Sequence, residues 1–248
     1  FPANDILYKA ELISFKNIKS KSITQTIDAF NKIPEIAVQK TQAGGGSPTL
    51  RGLDANKILL YHDGVRMNNA IYRGGNVHNI LMVDESAIKR IDVIYGPASS
   101  LYGSDALGGV IHLQTKDPVI GKINDKPNVF GNYYAKTTTA SNELSTHADL
   151  NIGWCNWALF SSVSYKSFGD SKKGKIKNVG LGDVFYYPTT FVSGDTLYDK
   201  IEKNTNRYVQ KNTAYNQLSA IQKFKFRISD NINYTTGFQY NQLDKVSR

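Results

Sequence analysis

Cysteine is nearly absent from this sequence: Cys155 stands alone, so no disulfide bond can form within the chain. Long hydrophobic runs are absent too, since none approaches the roughly 18 residues of a membrane-spanning helix. A strand that crosses a membrane has only weak, alternating hydrophobicity, so this absence does not exclude a membrane β-barrel. No secretory signal begins at Phe1, and we expect the sequence to be mature, trimmed or partial.

Several enzyme motifs are missing as well. The sequence has no GxxxxGK[ST] phosphate loop, no GxGxxG after a strand, no HExxH and no GxSxG. Four scattered histidines and one cysteine do not make a structural zinc site. The sequence therefore predicts no catalytic residue, no metal centre and no permanently bound cofactor.

The charge balance is positive, with 30 lysines and arginines against 21 acidic residues. Such a balance suits solubility or any anionic surface and identifies no function by itself. The basic residues are dispersed without the spacing of a nucleic-acid motif, so no nucleic-acid partner is predicted. The one short cluster, Lys172–Lys177, fits either an acidic surface ligand such as lipopolysaccharide phosphate or a solvated loop tip.

The pattern of the chain changes near residue 118. Residues 1–118 mix short strand and helix signals, which predicts an α+β domain. Ser22 and Gln25 have the spacing of a capping box at the start of a helix that Pro34 ends. Asp84 is expected to cap a second short helix.

Residues 119–248 alternate between polar and apolar positions over about five segments, which predicts antiparallel strands. By this alternation His147 and Lys166 lie on the polar face. A soluble β-sandwich alternates in the same way. Strand lengths of about 10 residues or more, and minimal turns opposite a long polar loop at 169–213, instead favour the wall of a membrane barrel. Trp154 and Trp157 flank one short turn, where an aromatic girdle would lie.

Residues 96–109 read GPASSLYGSDALGG, between a predicted strand that ends at Tyr95 and another that starts at Val110. Glycine tolerates positive φ and close backbone approach, so we expect a tightly folded turn region. The turn glycines singled out are Gly96, Gly103, Gly108 and Gly109.

Four motifs in sequence carry a resemblance to a known family. Thr49–Gly52 is similar to an "IRG" step, Leu60–Val65 to "LIDGV", Ile88–Val93 to "IERIEV" and Gly96–Gly109 to "GPxSxLYGxxAxGGVI". In this order they resemble the plug domain of TonB-dependent outer-membrane receptors. The resemblance covers residues 20–118 closely and 119–248 only in pattern.

The resemblance implies an α+β plug domain (1–118) followed by the first strands of an antiparallel transmembrane β-barrel (119–248). It implies a place in the bacterial outer membrane and active import of a scarce ligand, driven by the TonB–ExbB–ExbD complex. The family barrel has 22 strands, and even the smallest membrane barrels need about eight. We therefore expect a fragment of a larger receptor, with the remainder of its own barrel and outer-membrane lipids as partners. The coupling box is expected upstream of this sequence.

Two groups of site residues follow from the resemblance. Arg51 and Arg90 match positions that form a charge cluster between the plug and barrel glutamates, which are expected beyond Arg248. A plug loop that faces the ligand contributes the following polar residues: Arg66, Asn68, Asn69, Tyr72, Arg73 and His78. Tyr72 and His78 have side chains that serve as haem iron ligands. Packing within the loop is the alternative for both, and His62 and His112 are expected to be structural.

The implied ligand contains iron, as a ferric siderophore or haem. Import of a glycan, with a surface lipoprotein as partner, is the alternative within the family. A non-transporting outer-membrane adhesion or assembly protein and a soluble β-sandwich binding module are alternatives from other classes.

Overall fold

The computed structural model describes residues 10–14, 25–39, 46–53, 57–67, 80–122, 126–139, 142–172, 186–193 and 196–244. Two five-stranded sheets dominate this part of the chain, one in the N-terminal domain and one formed by the later strands. We call the second the wall sheet. The predicted fold class, an α+β domain followed by antiparallel strands, is confirmed.

The sheet of the N-terminal domain has the order β1-β6-β7-β4-β5, in which β4 and β7 are parallel and the other pairs antiparallel. Its strands are β1 (Ala10–Ser14), β4 (Ile58–His62), β5 (Val65–Arg66), β6 (Ile88–Tyr95) and β7 (Gly109–Thr115). A separate small sheet pairs β2 (Ile36–Gln39) with β3 (Ser47–Leu50). Short 3-10 helices span Thr26–Lys32 and Ile80–Met82, and a single α-helical turn spans Ser99–Tyr102.

The core of this domain lies on both faces of the sheet. Ile91, Val93 and Ile111 pack with the 3-10 helix on one face, while Leu59 and Val110 pack against the other. A sheet covered on both sides has strands rich in β-branched residues rather than strictly alternating ones. That is why β6 and β7 are apolar on both faces near Tyr95.

Two sequence predictions in this domain need correction. The first helix is a 3-10 helix, and Gln25 makes no side-chain capping bond there. Ser22 lies outside the described residues. Asp84 caps no helix, because the Ala87 amide donates to its carbonyl oxygen at 3.2 Å in a turn that leads directly into β6. Aspartate is favoured at the first position of such turns, so the same residue preference fits both structures.

The wall sheet has the order β16-β15-β10-β9-β8, with every pair antiparallel. Its strands are β8 (Asn128–Thr138), β9 (Glu143–Gly153), β10 (Trp157–Phe168), β15 (Tyr215–Ser229) and β16 (Ile232–Asp244). In β9 the residues buried on one face are polar, among them Ser145, His147, Asp149 and Asn151. The opposite face exposes large apolar side chains: Val129, Tyr133, Leu150, Val163, Tyr165, Phe224 and Phe238.

The segment predicted as a long polar loop, 169–213, contains paired strands. β11 (Ser171–Lys172) pairs with β14 (Val209–Gln210), and β12 (Tyr186–Ser193) forms a hairpin with β13 (Thr196–Lys203). Eight residue pairs join β12 to β13, so this hairpin extends well beyond a simple turn.

Among the described residues, the structure contains no helix long and apolar enough to cross a membrane.

Candidate functional site

The polar face of the wall sheet contacts the N-terminal domain through buried charged side chains. The turn before β6 directs two carboxylates at β10, where Lys166 Nζ lies 2.8 Å from Asp84 Oδ1 and also pairs with Glu85. The Ser164 hydroxyl donates to Asp84 Oδ2 at 2.6 Å. Asp84 is 1% exposed and Lys166 2%, so the ion pairs are shielded from water. We call Asp84, Glu85 and Lys166 the central latch.

The two carboxyl groups of the central latch differ in charge behaviour. Burial raises the pKa of Glu85 to about 7. Burial alone would also raise the pKa of Asp84, but the charge and hydrogen bond of Lys166, and the bond from Ser164, hold it below its usual value. The ammonium group of Lys166 therefore pairs with an ionised Asp84 and with a Glu85 that titrates near neutral pH.

Strand β9 extends this network. Lys116 Nζ donates to Asp149 Oδ2 at 2.6 Å, directly after β7 ends. His147 bridges the two clusters, with Nε2 at 3.0 Å from Asp149 and Nδ1 at 2.7 Å from the Ser164 hydroxyl. The position of His147 on the polar face agrees with its place in the sequence alternation.

A second contact joins β15 to the turn between β4 and β5. Lys223 Nζ lies 3.0 Å from Asp63 Oδ2 and 3.7 Å from Asp117 Oδ1. Asp63 also accepts hydrogen bonds from the Thr115 amide at 2.8 Å and hydroxyl at 2.5 Å. Burial alone would raise the pKa of Asp63. The hydrogen bonds from Thr115 and the charge of Lys223 outweigh burial and hold that pKa below its usual value.

A cavity of about 700 Å³ lies beside this contact, between the N-terminal domain and β15–β16. His62, His112 and Gln114 line one side, and Lys223, Thr235 and Gln239 line the other. Burial lowers the pKa of both histidines, so they are neutral at pH 7. The described residues contain no cluster of three or more histidine, cysteine or acidic side chains that could hold a metal ion.

The predicted arginines contact acids of their own domain. Arg51 Nη2 lies 2.5 Å from Glu35, with its guanidinium 4.9 Å from the centre of the Tyr95 ring. Arg90 Nε lies 3.3 Å from Asp92. Pairing with barrel glutamates beyond residue 248 stays a prediction.

Of the predicted ligand-facing residues, Arg66 alone is described. Its guanidinium pairs with Asp105 at 3.2 Å and donates to the Tyr102 carbonyl at 3.0 Å, so it braces the turn after the short helix. The other predicted loop residues lie outside the described residues: Asn68, Asn69, Tyr72, Arg73 and His78.

The predicted turn glycines occupy a tightly folded segment. Gly96, Gly103 and Gly109 have φ values of 96°, 91° and 150°. A Cβ at Gly109 would lie 2.5 Å from the Ile94 carbonyl oxygen, and one at Gly108 would lie 2.7 Å from Leu53 Cδ1. The backbone of this turn therefore packs too closely for a side chain at Gly109, and a side chain at Gly108 would require Leu53 to shift.

Sequence reasoning missed the central latch. Alternation along β10 did place Lys166 on the polar face, beside Ser162 and Ser164. A lysine on a buried face that also carries Phe160 and Phe168 is a signal that an acidic partner is needed. Which carboxylates meet it depends on how the N-terminal domain docks, and no local pattern encodes that.

Comparison with known proteins agrees with this architecture. Residues 2–110 match the family described as "TonB-dependent Receptor Plug Domain". The chain is 36% identical over 145 residues to the Heme/hemopexin utilization protein C of Haemophilus influenzae, which covers 56% of this chain and 18% of the relative. It is 33% identical over 181 residues to the Iron-regulated outer membrane virulence protein of Vibrio cholerae, covering 69% of this chain and 26% of the relative.

Two further similarities widen the range of relatives. The Vitamin B12 transporter BtuB of Vibrio vulnificus is 34% identical over 116 residues, which are 46% of this chain and 18% of the relative. The FrpB iron transporter from Neisseria meningitidis shares the fold, with a TM-score of 0.67 at 17% identity over 95% of this chain and 32% of that one. The matched part thus spans about a fifth to a quarter of the length of these curated relatives.

Proposed function

The chain belongs to the family of TonB-dependent outer-membrane receptors, which are transporters rather than enzymes, and we propose that it is part of a receptor that imports a scarce ligand across the bacterial outer membrane. The N-terminal domain is the plug, and the wall sheet is part of the surrounding barrel. The TonB–ExbB–ExbD complex supplies the energy by pulling on a coupling box that precedes the plug.

The observation that carries this proposal is the ionic attachment of the plug to the polar face of the wall. Lys166, Asp149 and Lys223 lie on three different strands, and each binds a charged side chain of the plug or of the segment that follows it. Breaking a buried ion pair costs about 3–5 kcal/mol when one partner is left unpaired. Such an attachment blocks the lumen at rest and is displaced only by external work, which suits energised import.

For the ligand, we propose a compound that contains iron, either haem or a ferric siderophore. The printed names of two relatives support this choice, because one refers to haem and hemopexin utilisation and the other to iron regulation. The sequence of the plug loop supports it too. Arg73 and the loop asparagines suit an anionic, oxygen-rich ligand, and Tyr72 and His78 suit haem iron.

Import is tested with the full-length receptor in cells that lack it, grown on haem or a ferric siderophore as the limiting iron source. We expect growth with the wild-type receptor and none after deletion of the coupling box. Growth that survives the deletion would contradict import and favour an adhesion or assembly role. Growth on a limiting oligosaccharide, without growth on either iron source, would favour the glycan importer.

Haem is separated from siderophores by titration of the detergent-purified receptor with haemin, followed through the Soret band. Under the haem proposal the band shifts saturably, and Tyr72→Phe or His78→Gln weakens the shift. Tyr133→Phe is the matched control, because Tyr133 is 75% exposed on the outer face of the wall. An absent shift excludes haem and leaves the ferric siderophore and the glycan, which the growth test separates.

A further inference from the structure

The central latch contains more acidic than basic groups. Asp84, Glu85 and Lys166 are all buried, so two carboxyl groups share a single ammonium group. With both carboxyls ionised, the contact between plug and wall would enclose one uncompensated negative charge. A buried charge without a partner is costly, and a carboxyl group avoids that cost by retaining its proton.

The surroundings of Glu85 offer no second cation among the described residues. Its charged or titratable neighbours are Asp84 in its own turn, Lys166 on β10, Tyr134 on β8 and Tyr215 on β15. His147 on β9 lies 3.9 Å from Asp84 and is committed to Asp149 and Ser164. The two tyrosines are hydrogen-bonded to plug side chains, Tyr134 to Ser86 and Tyr215 to Gln25.

We propose that docking of the plug onto the wall takes up one proton at Glu85, so that the plug is held less firmly as the pH rises through neutrality. This inference goes beyond the proposed function, because it concerns the attachment of the plug and holds for any ligand. Asp84 and Lys166 stay paired in both protonation states. Glu85 alone changes charge.

The sign and size of the effect follow from linkage. In the docked state burial raises the pKa of Glu85 to about 7, whereas its ordinary value in water is 4.5. Between these values the docked state binds a proton that the undocked state lacks, so docking is favoured at low pH. That advantage is lost as the pH rises through the docked value. The docking equilibrium should weaken about tenfold between pH 6 and pH 8.

The test is amide hydrogen exchange of segment 80–95 in the full-length receptor, with wild type and Glu85→Gln compared at each pH from 6 to 8. Comparison at the same pH cancels the intrinsic pH dependence of exchange. We expect the ratio of wild-type to variant exchange rates to rise about tenfold over this range, because glutamine mimics the protonated acid at every pH. A ratio that stays constant overturns the proposal.

Two further variants separate this effect from a general loss of stability. Asp84→Asn removes a negative neighbour that raises the pKa of Glu85, so the pH midpoint should move down while a pH dependence remains. Glu202→Gln, on the β12–β13 hairpin, removes an acid away from the latch and should reproduce the wild-type profile.

Infrared difference spectra between pH 6 and pH 8 give a second measurement, valid even if Glu85→Gln loosens the plug. The wild type should lose one protonated carboxyl band that is missing from Glu85→Gln. Identical difference spectra in the two proteins would overturn the proposal.

Discussion

Replacing Lys166 with methionine removes the cation of the central latch and keeps most of the volume of the side chain. Asp84 and Glu85 then remain buried without their shared partner. An exposed ion pair contributes about 0–1 kcal/mol to stability. Lys166 is only 2% exposed, so its removal should cost about 3–5 kcal/mol, as is typical when one partner of a buried ion pair is lost. The loss should be larger at pH 8 than at pH 6, because the stranded carboxyls must take up protons to stay buried.

The assay is the urea concentration at which the plug of the full-length receptor becomes sensitive to protease. Lys166→Met should lower the free energy of plug release by about 3–5 kcal/mol. The triple variant Asp84→Asn, Glu85→Gln, Lys166→Met should recover most of that loss, since no charge is left buried. Lys172→Met is the matched control: its ammonium donates to Asn142 at an exposed site, and we expect a change below about 0.5 kcal/mol. A Lys166→Met loss within 1 kcal/mol of the control would refute the reasoning.

Two other predictions concern the plug itself. Gly109→Ala should destabilise the plug by at least about 1–3 kcal/mol, because φ is 150° and the new Cβ would lie 2.5 Å from the Ile94 carbonyl oxygen. Gly52→Ala should lower the urea midpoint less, because φ is 81° there but a Cβ added at Gly52 would have no neighbouring atom within 4 Å. Equal losses for the two variants would contradict the argument from close backbone approach at Gly109. The lowered pKa of Asp63 predicts stability that is present above its ordinary value of 3.8 and lost as the pH falls through the lowered value. Asp63→Asn should therefore reduce the loss of plug stability at low pH. An unchanged loss would show that Asp63 does not cause it.

The sequence predicted those parts of the fold that depend on local periodicity and backbone chemistry. Alternation placed His147 and Lys166 on the buried polar face of the wall, and the glycines of 96–109 marked a turn with positive φ. Both signals act within a few residues. The four plug motifs added the identity of the domain.

What the sequence could not provide depends on contacts far apart in the chain. Asp84 and Lys166 are 82 residues apart, and a turn aspartate looks the same whether it caps a helix or meets a lysine across the lumen. The hairpin β12–β13 was missed because β12, which reads YYPTTFVS, has no polar–apolar alternation. Its two strands pair with each other as a separate two-stranded sheet.

The segment that joins plug and wall is clamped at its backbone. The Asn151 side chain accepts a hydrogen bond from the Val119 amide at 2.8 Å and donates one to the Val119 carbonyl at 3.1 Å. The Gly121 amide donates to the Trp154 carbonyl at 2.8 Å. A plug that has left the central latch therefore stays attached to β9 through this short connecting segment. Its return is an intramolecular reaction, for which short tethers give effective concentrations on the order of millimolar. Re-docking of the plug is therefore independent of how many copies of the receptor are present.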